Sequence, residues 1–116
     1  MPTLANPQEI VIFASDICER GLLDSAHEFE NNNHRVFLYQ TKEQLRDRVY
    51  NTIILDLDNL PEELEHLEPS TILELLSNHT TKIFIICETS FARLEPYKPE
   101  CETFSSWNNL LTRTFF

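Results

Sequence analysis

The apolar run Asn51-Thr-Ile-Ile-Leu ends on a carboxylate, Asp56, and a second acid, Asp58, follows before the turn residues Asn59-Leu-Pro61. A run this rich in β-branched residues reads as a buried strand, and the carboxyl-terminal rim of an open α/β sheet is where such folds place ligands and reactions. Asp56 is thus the leading candidate for chemistry, against the plainer reading of an acid that is solvated or caps a loop. Asp58 lies on the same rim and reads as a turn residue, because Asp readily bonds to nearby backbone. Asp16, after the first apolar run, reads as the cap of a first helix, where a carboxylate meets free amides and the positive end of the helix dipole.

Other reactive side chains are poorly arranged. Cys18, Cys87 and Cys101 are odd in number and far apart, with no Cys-x-x-Cys pair, so they are expected as buried thiols rather than ligands or nucleophiles. His27-Glu-Phe-Glu-Asn31 starts like a zinc-protease helix, but Asn31 stands where the second histidine is needed. His34, His66 and His79 share no ligand spacing and are expected at the surface. Gly21 is the single glycine in the chain, which excludes Gly-x-Gly-x-x-Gly and Walker-type phosphate loops. No Ser/His/Asp or Cys/His constellation can be assembled, and no enzyme is expected.

The 116 residues are the length of one domain over 1–116, and the formal net charge is −10. Nucleic-acid binding draws most of its affinity from Lys and Arg neutralising phosphates, so no direct nucleic-acid contact is expected from this chain. No run approaches the ~20 apolar residues of a membrane span, and Met1 to Pro7 has neither the basic nor the apolar region of a signal peptide. A cytoplasmic setting without membrane contact is the expectation.

Four continuous apolar runs predict parallel strands over 9–14, 35–39, 52–57 and 82–87, each covered on both faces by helices. Cys18, Leu22, Ala26 and Phe29 share one face of a helix that runs out in Asn31-Asn-Asn33. Thr41-Lys-Glu-Gln44 is a capping box opening a second connection that offers Leu45 and Val49 to the core. The third connection spans 62–78, with Pro69 splitting or kinking it. Its acidic start, Glu62 to Glu68, reads as a solvated helix face or, alternatively, a contact for a basic partner. After Cys87 the period fades, so the fourth helix is expected short or absent. A short fifth strand over 101–105 follows, and Ser106 caps a last helix carrying Trp107, Leu110, Leu111 and Phe115. The result is an α/β, doubly wound parallel sheet.

In that order the chain resembles the receiver (CheY-like) domains of two-component response regulators, which have a flavodoxin-like five-stranded fold. The segment Glu9-Ile-Val-Ile-Phe-Ala-Ser-Asp16 is similar to their first strand and acidic loop, and Ile53-Ile-Leu-Asp-Leu57 with Leu60-Pro61 to their third strand. The resemblance implies Asp56 as the phosphate-accepting position. In a competent receiver it implies Mg²⁺ held by Asp16, Asp56 and Asp58.

The chain departs from that pattern where phosphoryl chemistry needs it most. The receiver acidic pair falls on Ala14 and Ser15, leaving Ser15 and Asp16 as its remnant; the hydroxyl switch position falls on Cys87, with Thr89 two residues on. The only candidate for the family lysine is Lys98, before Pro99 and about ten residues early by family spacing. Phosphoryl transfer depends on offsetting charge on the equatorial oxygens, and these losses remove most of that stabilisation. The resemblance therefore implies a pseudo-receiver: a regulatory module for protein–protein contact or dimerisation in signalling or transcription regulation, without cofactor, and the N-terminal part of a longer regulator. Trp107, Phe115 and Phe116 are its interface candidates, with core packing the default for Trp107. A phosphorylatable receiver using Mg²⁺ is the alternative, followed by an anti-sigma-antagonist-like regulatory domain and a flavin-binding relative.

Overall fold

The computed structural model describes residues 7–115, and side chains as far as residue 113. Five parallel strands form one sheet: β1 (Glu9–Phe13), β2 (Arg35–Tyr39), β3 (Thr52–Asp56), β4 (Ile83–Ile86) and β5 (Glu102–Phe104), in the order β2-β1-β3-β4-β5. This is the doubly wound, flavodoxin-like arrangement expected, with each expected strand present within a residue or two of its bounds. β3 lies at the centre and every one of its residues is buried, which explains its continuous apolar run.

The helices are α1 (Arg20–Asn31), α2 (Glu62–Glu65), α3 (Pro69–Ser77) and α4 (Trp107–Phe115). One sheet face, with Ile10, Ile12, Ile54 and Phe84, packs against α1 and α4 through Leu22, Ala26, Phe29, Trp107 and Leu110. The other, with Val11, Phe13, Ile53 and Ile85, packs against α2 and α3 through Leu64, Ile72, Leu73 and Leu76. Pro69 starts α3 rather than kinking it, because its missing N–H is harmless in the first turn of a helix. The fourth connection contains two 3₁₀ turns, Phe91–Arg93 and Glu95–Tyr97, and no α-helix.

Four sequence expectations are corrected. Cys18 lies ahead of α1 and is exposed, and Cys101 is half-buried, so only Cys87 is a buried thiol. Glu19, not Asp16, caps α1: its carboxylate accepts from the Gly21 and Leu22 N–H groups at 3.0 and 2.9 Å. His34 is buried rather than on the surface. Its Nδ1 accepts from the Gln8 N–H at 3.0 Å, and burial lowers its pKa below the usual histidine value.

The fourth correction concerns the second connection. The Thr41/Gln44 capping box forms, but it opens only the 3₁₀ turn Lys42–Leu45, and Val49 is 69% exposed. Helices in proteins are held by burying an apolar stripe, and Leu45 is the only residue of this turn to reach the core. The chain then reverses at Arg46, with φ 53° and ψ −144°.

That backbone conformation favours glycine and strains an L-residue with a side chain. Since the Arg46 side chain is exposed, Arg46→Gly is expected to stabilise the fold by about 1 kcal/mol, read as a higher urea midpoint at unchanged slope. A lower midpoint would contradict the strain at this turn.

Candidate functional site

In this strand order the chain reverses direction between β1 and β3, and the crevice at their carboxyl ends is where such sheets bind ligands. Asn59 bridges it. Its backbone carbonyl accepts from the Ser15 N–H at 2.8 Å, its Oδ1 accepts from the Asp16 N–H at 2.8 Å, and its Nδ2 donates to the Asp16 carbonyl at 2.8 Å. Gln40 Nε2 adds a bond to the Ser15 carbonyl at 2.7 Å. Ser15 and Asp16 therefore hold the loop by their backbones. The Asp16 carboxylate is turned to its own loop, accepting from the Cys18 N–H at 2.9 Å.

Asp56 ends β3 and is only 5% exposed. Its Oδ1 accepts from the Asp58 N–H at 3.0 Å, and its Oδ2 accepts from the Trp107 indole Nε1–H at 3.2 Å. Trp107 reaches it because Ser106 Oγ caps α4 at the Asn109 N–H, 3.0 Å, which sets the first turn of α4 over the strand end. Gly21 makes room: a Cβ there would lie 3.2 Å from Trp107 Cδ1. Burial pushes the Asp56 carboxyl up to about 6, against the two hydrogen bonds, which favour the anion.

Asp58 faces the other way. It accepts from the Thr89 hydroxyl, from the Glu88 N–H at 2.6 Å and from the Cys87 thiol at 3.5 Å. Burial raises its pKa, but these bonds outweigh that and leave it below the usual carboxylate range. Cys87, which the resemblance put at the switch position, and Thr89 two residues on are thus brought together on Asp58 rather than Asp56. Lys98 is elsewhere: it precedes β5 and pairs with Glu95 at 2.9 Å. Phe116 and the Phe115 side chain lie outside the described residues.

Between α1, α4 and the β3 loop runs a groove of about 700 Å³. Six carboxylates line it (Asp16, Glu19, Asp24, Asp56, Asp58 and Glu88) against one cation, Arg20. Among the described residues no three His, Cys, Asp or Glu side chains stand together in a way that would hold a metal ion. Asp56 and Asp58 spend both oxygens, and Asp16 one, on different protein donors, and this does not fit the shared, near-octahedral oxygen cage that Mg²⁺ requires. The indole on Asp56 and the Asn59 bridge were missed from sequence. The only sequence signal for the first was a tryptophan directly after a helix cap that follows the last strand.

The Asp56 shift has a sign that stability measurements can read. Its folded pKa, about 6, lies above the ordinary carboxylate value of 3.8, so its contribution is full below about pH 4 and is lost as pH rises through about 6. Asp56→Asn is expected to flatten that part of the stability profile, measured by urea unfolding across about pH 4 to 8. Trp107 is the sole tryptophan, so its fluorescence reports on the same contact. A titration with a midpoint near 6 is expected in the parent and absent in Asp56→Asn; identical curves would show that the indole does not sense this carboxylate.

Comparison of the chain with protein-family models, with curated proteins and with solved structures finds no match in any of the three. The sheet order and the covered faces give the flavodoxin-like α/β fold on their own.

Proposed function

We propose that this chain is a pseudo-receiver: a receiver-like regulatory module of a signalling or transcription regulator that works by binding protein, without phosphorylation and without catalysis. The observation that carries this reading is the engagement of both Asp56 oxygens, one by the Trp107 indole and one by the Asp58 N–H. A phosphoryl acceptor needs one oxygen free to attack and a cationic surround for the incoming group. Here the oxygens are already bonded, the surround is six carboxylates to one arginine, and the only lysine candidate is tied to Glu95. Phosphoryl donors are anions and this groove repels them.

The same features suit a structural role for the acid. Asp56 anchors α4 to the centre of the sheet, and the fold then presents its outer surfaces to a partner. No helix among the described residues is long and apolar enough to cross a membrane.

Amide shifts followed during a titration with Mg²⁺ and beryllofluoride separate this reading from a working receiver. Residues around Asp16, Asp56 and Trp107 are expected to stay in place, and acetyl phosphate to add no mass to the chain. Mg²⁺-dependent shifts that disappear in Asp56→Asn would establish a live phosphorylation site and overturn the proposal.

A further inference from the structure

The two edges of the sheet are finished differently. At β5 the Cys87 N–H donates to the Phe104 carbonyl at 3.1 Å, so Phe104 and Glu102 face β4 and Thr103 alone turns its backbone outward. Arg113 of α4 donates to that Thr103 carbonyl at 3.2 Å. A three-residue strand with a capped carbonyl and an exposed glutamate is a blunted edge.

β2 is not blunted. The Arg35 N–H donates to the Gln8 carbonyl at 2.8 Å and the Tyr39 carbonyl accepts from the Ala14 N–H at 3.1 Å, so the odd-numbered residues face β1. Val36 and Leu38 therefore turn their N–H and C=O groups outward, and no neighbour among the described residues meets them. The stretch Val36-Phe-Leu-Tyr39 has no proline, lysine or carboxylate, the usual protections of such an edge. Its ends are closed: the His34 N–H donates to the Phe29 carbonyl, and the Gln40 N–H to Gln44 Oε1 at 2.7 Å. The open length is that of one short paired strand.

We infer that β2 pairs antiparallel with β2 of a second copy, joining two five-stranded sheets into one across a two-fold axis at Phe37. The strand complements itself in this register. Val36 and Leu38 of each copy exchange both backbone bonds with Leu38 and Val36 of the other. Phe37 meets its own symmetry mate in the closer, non-hydrogen-bonded type of pair, which suits two aromatic rings. Arg35, whose guanidinium already lies 5.5 Å from the Phe37 ring, comes opposite Tyr39 of the other copy, a cation against an aromatic face.

Charge also favours this edge for a second copy. The chain carries −10, but from His34 to Lys42 there is no acid, and the nearby Glu9 is bridged to Arg48 at 2.7 Å and to Arg35 at 3.9 Å. Two copies can meet here with their acidic grooves apart. The two Arg35 side chains stand at opposite ends of the paired strands, about 14 Å apart and beyond the screening length of physiological salt.

This inference rests on the protein-binding reading and names its surface. Light scattering and sedimentation of the whole chain from about 10 µM to about 1 mM are expected to give a monomer–dimer equilibrium. Phe37→Lys and Phe37→Glu should each weaken it by about tenfold or more, because like charges then meet at the axis, and mixing the two should restore a dimer. Far-UV circular dichroism checks that both variants fold. Should either fail to fold, amide exchange on the wild-type chain decides: protection of Val36 and Leu38 must rise with protein concentration. Flat protection there, or a chain that stays monomeric at about 1 mM, overturns the pairing. A dimer that forms but ignores Phe37→Lys also overturns it while leaving the protein-binding reading intact. Failure of that reading itself is read separately, from Mg²⁺ and beryllofluoride at Asp56.

Discussion

A carboxylate held out of water at the centre of the sheet rim is the constraint around which the upper half of this protein is arranged. Asp56 is almost wholly buried, and burying an anion is expensive unless it is bonded on every accessible side. One oxygen takes the Asp58 N–H, which turns the chain sharply after β3; the other takes the Trp107 indole, which fixes where α4 begins. The indole can sit there only because Gly21 leaves room beneath it and Ser106 caps the helix in the right place. A single acid thus links the central strand, the first turns of α1 and α4, and the loop toward α2.

Next to this anchor, Asn59 bonds three times across the crevice between β1 and β3. In a ligand-binding sheet of this order the two loops stand apart at that point, because the reversal of strand order opens a cleft. Here these bonds to backbone groups tie the two loops together. The acids lining the neighbouring groove are then free to be numerous without converging. Asp16 and Glu19 hold local backbone amides and Asp58 the Glu88 N–H from the loop after β4, a use of carboxylates that fixes loops and helix ends rather than ions.

Much of the fold was legible because its signals are local. Continuous apolar runs marked the first four strands, Pro69 marked the division between α2 and α3, and Ser106 marked the start of α4. The misses have a common physical cause in side chains that act over long sequence separation. Asp is a favoured cap by type and Glu is not, yet α1 starts at Arg20, and the Asp16 carboxylate is already taken by the Cys18 N–H. His34 looked like a loop residue, yet its ring accepts from Gln8, 26 residues away. Trp107 and Asp56 are 51 residues apart, and nothing in the spacing of either motif announces the other. The candidate site was found by position, whereas its chemistry depended on partners the sequence does not place.

The second connection bears on how the sheet is covered. A helix there would shield Phe37 and Tyr39 on the side of β2 that faces α2 and α3. Aromatic side chains do that work instead. Tyr39 and Tyr50 bond through their hydroxyls at 3.0 Å, the Phe37 ring lies 5.6 Å from Tyr50, and the Arg48 guanidinium stacks 5.2 Å from Phe37 and 5.0 Å from Tyr50. Edge-to-face rings and a stacked cation cover apolar surface well, but they cover a face. They offer no backbone donors or acceptors to the strand beside them. The rings solve the burial problem on one side of β2, but neither rings nor a helix on that face would pair the strand edge, and among the described residues nothing answers its outward N–H and C=O groups. At the opposite edge the Arg113 side chain reaches from α4 to the backbone of β5, and among the described residues nothing comparable stands over β2.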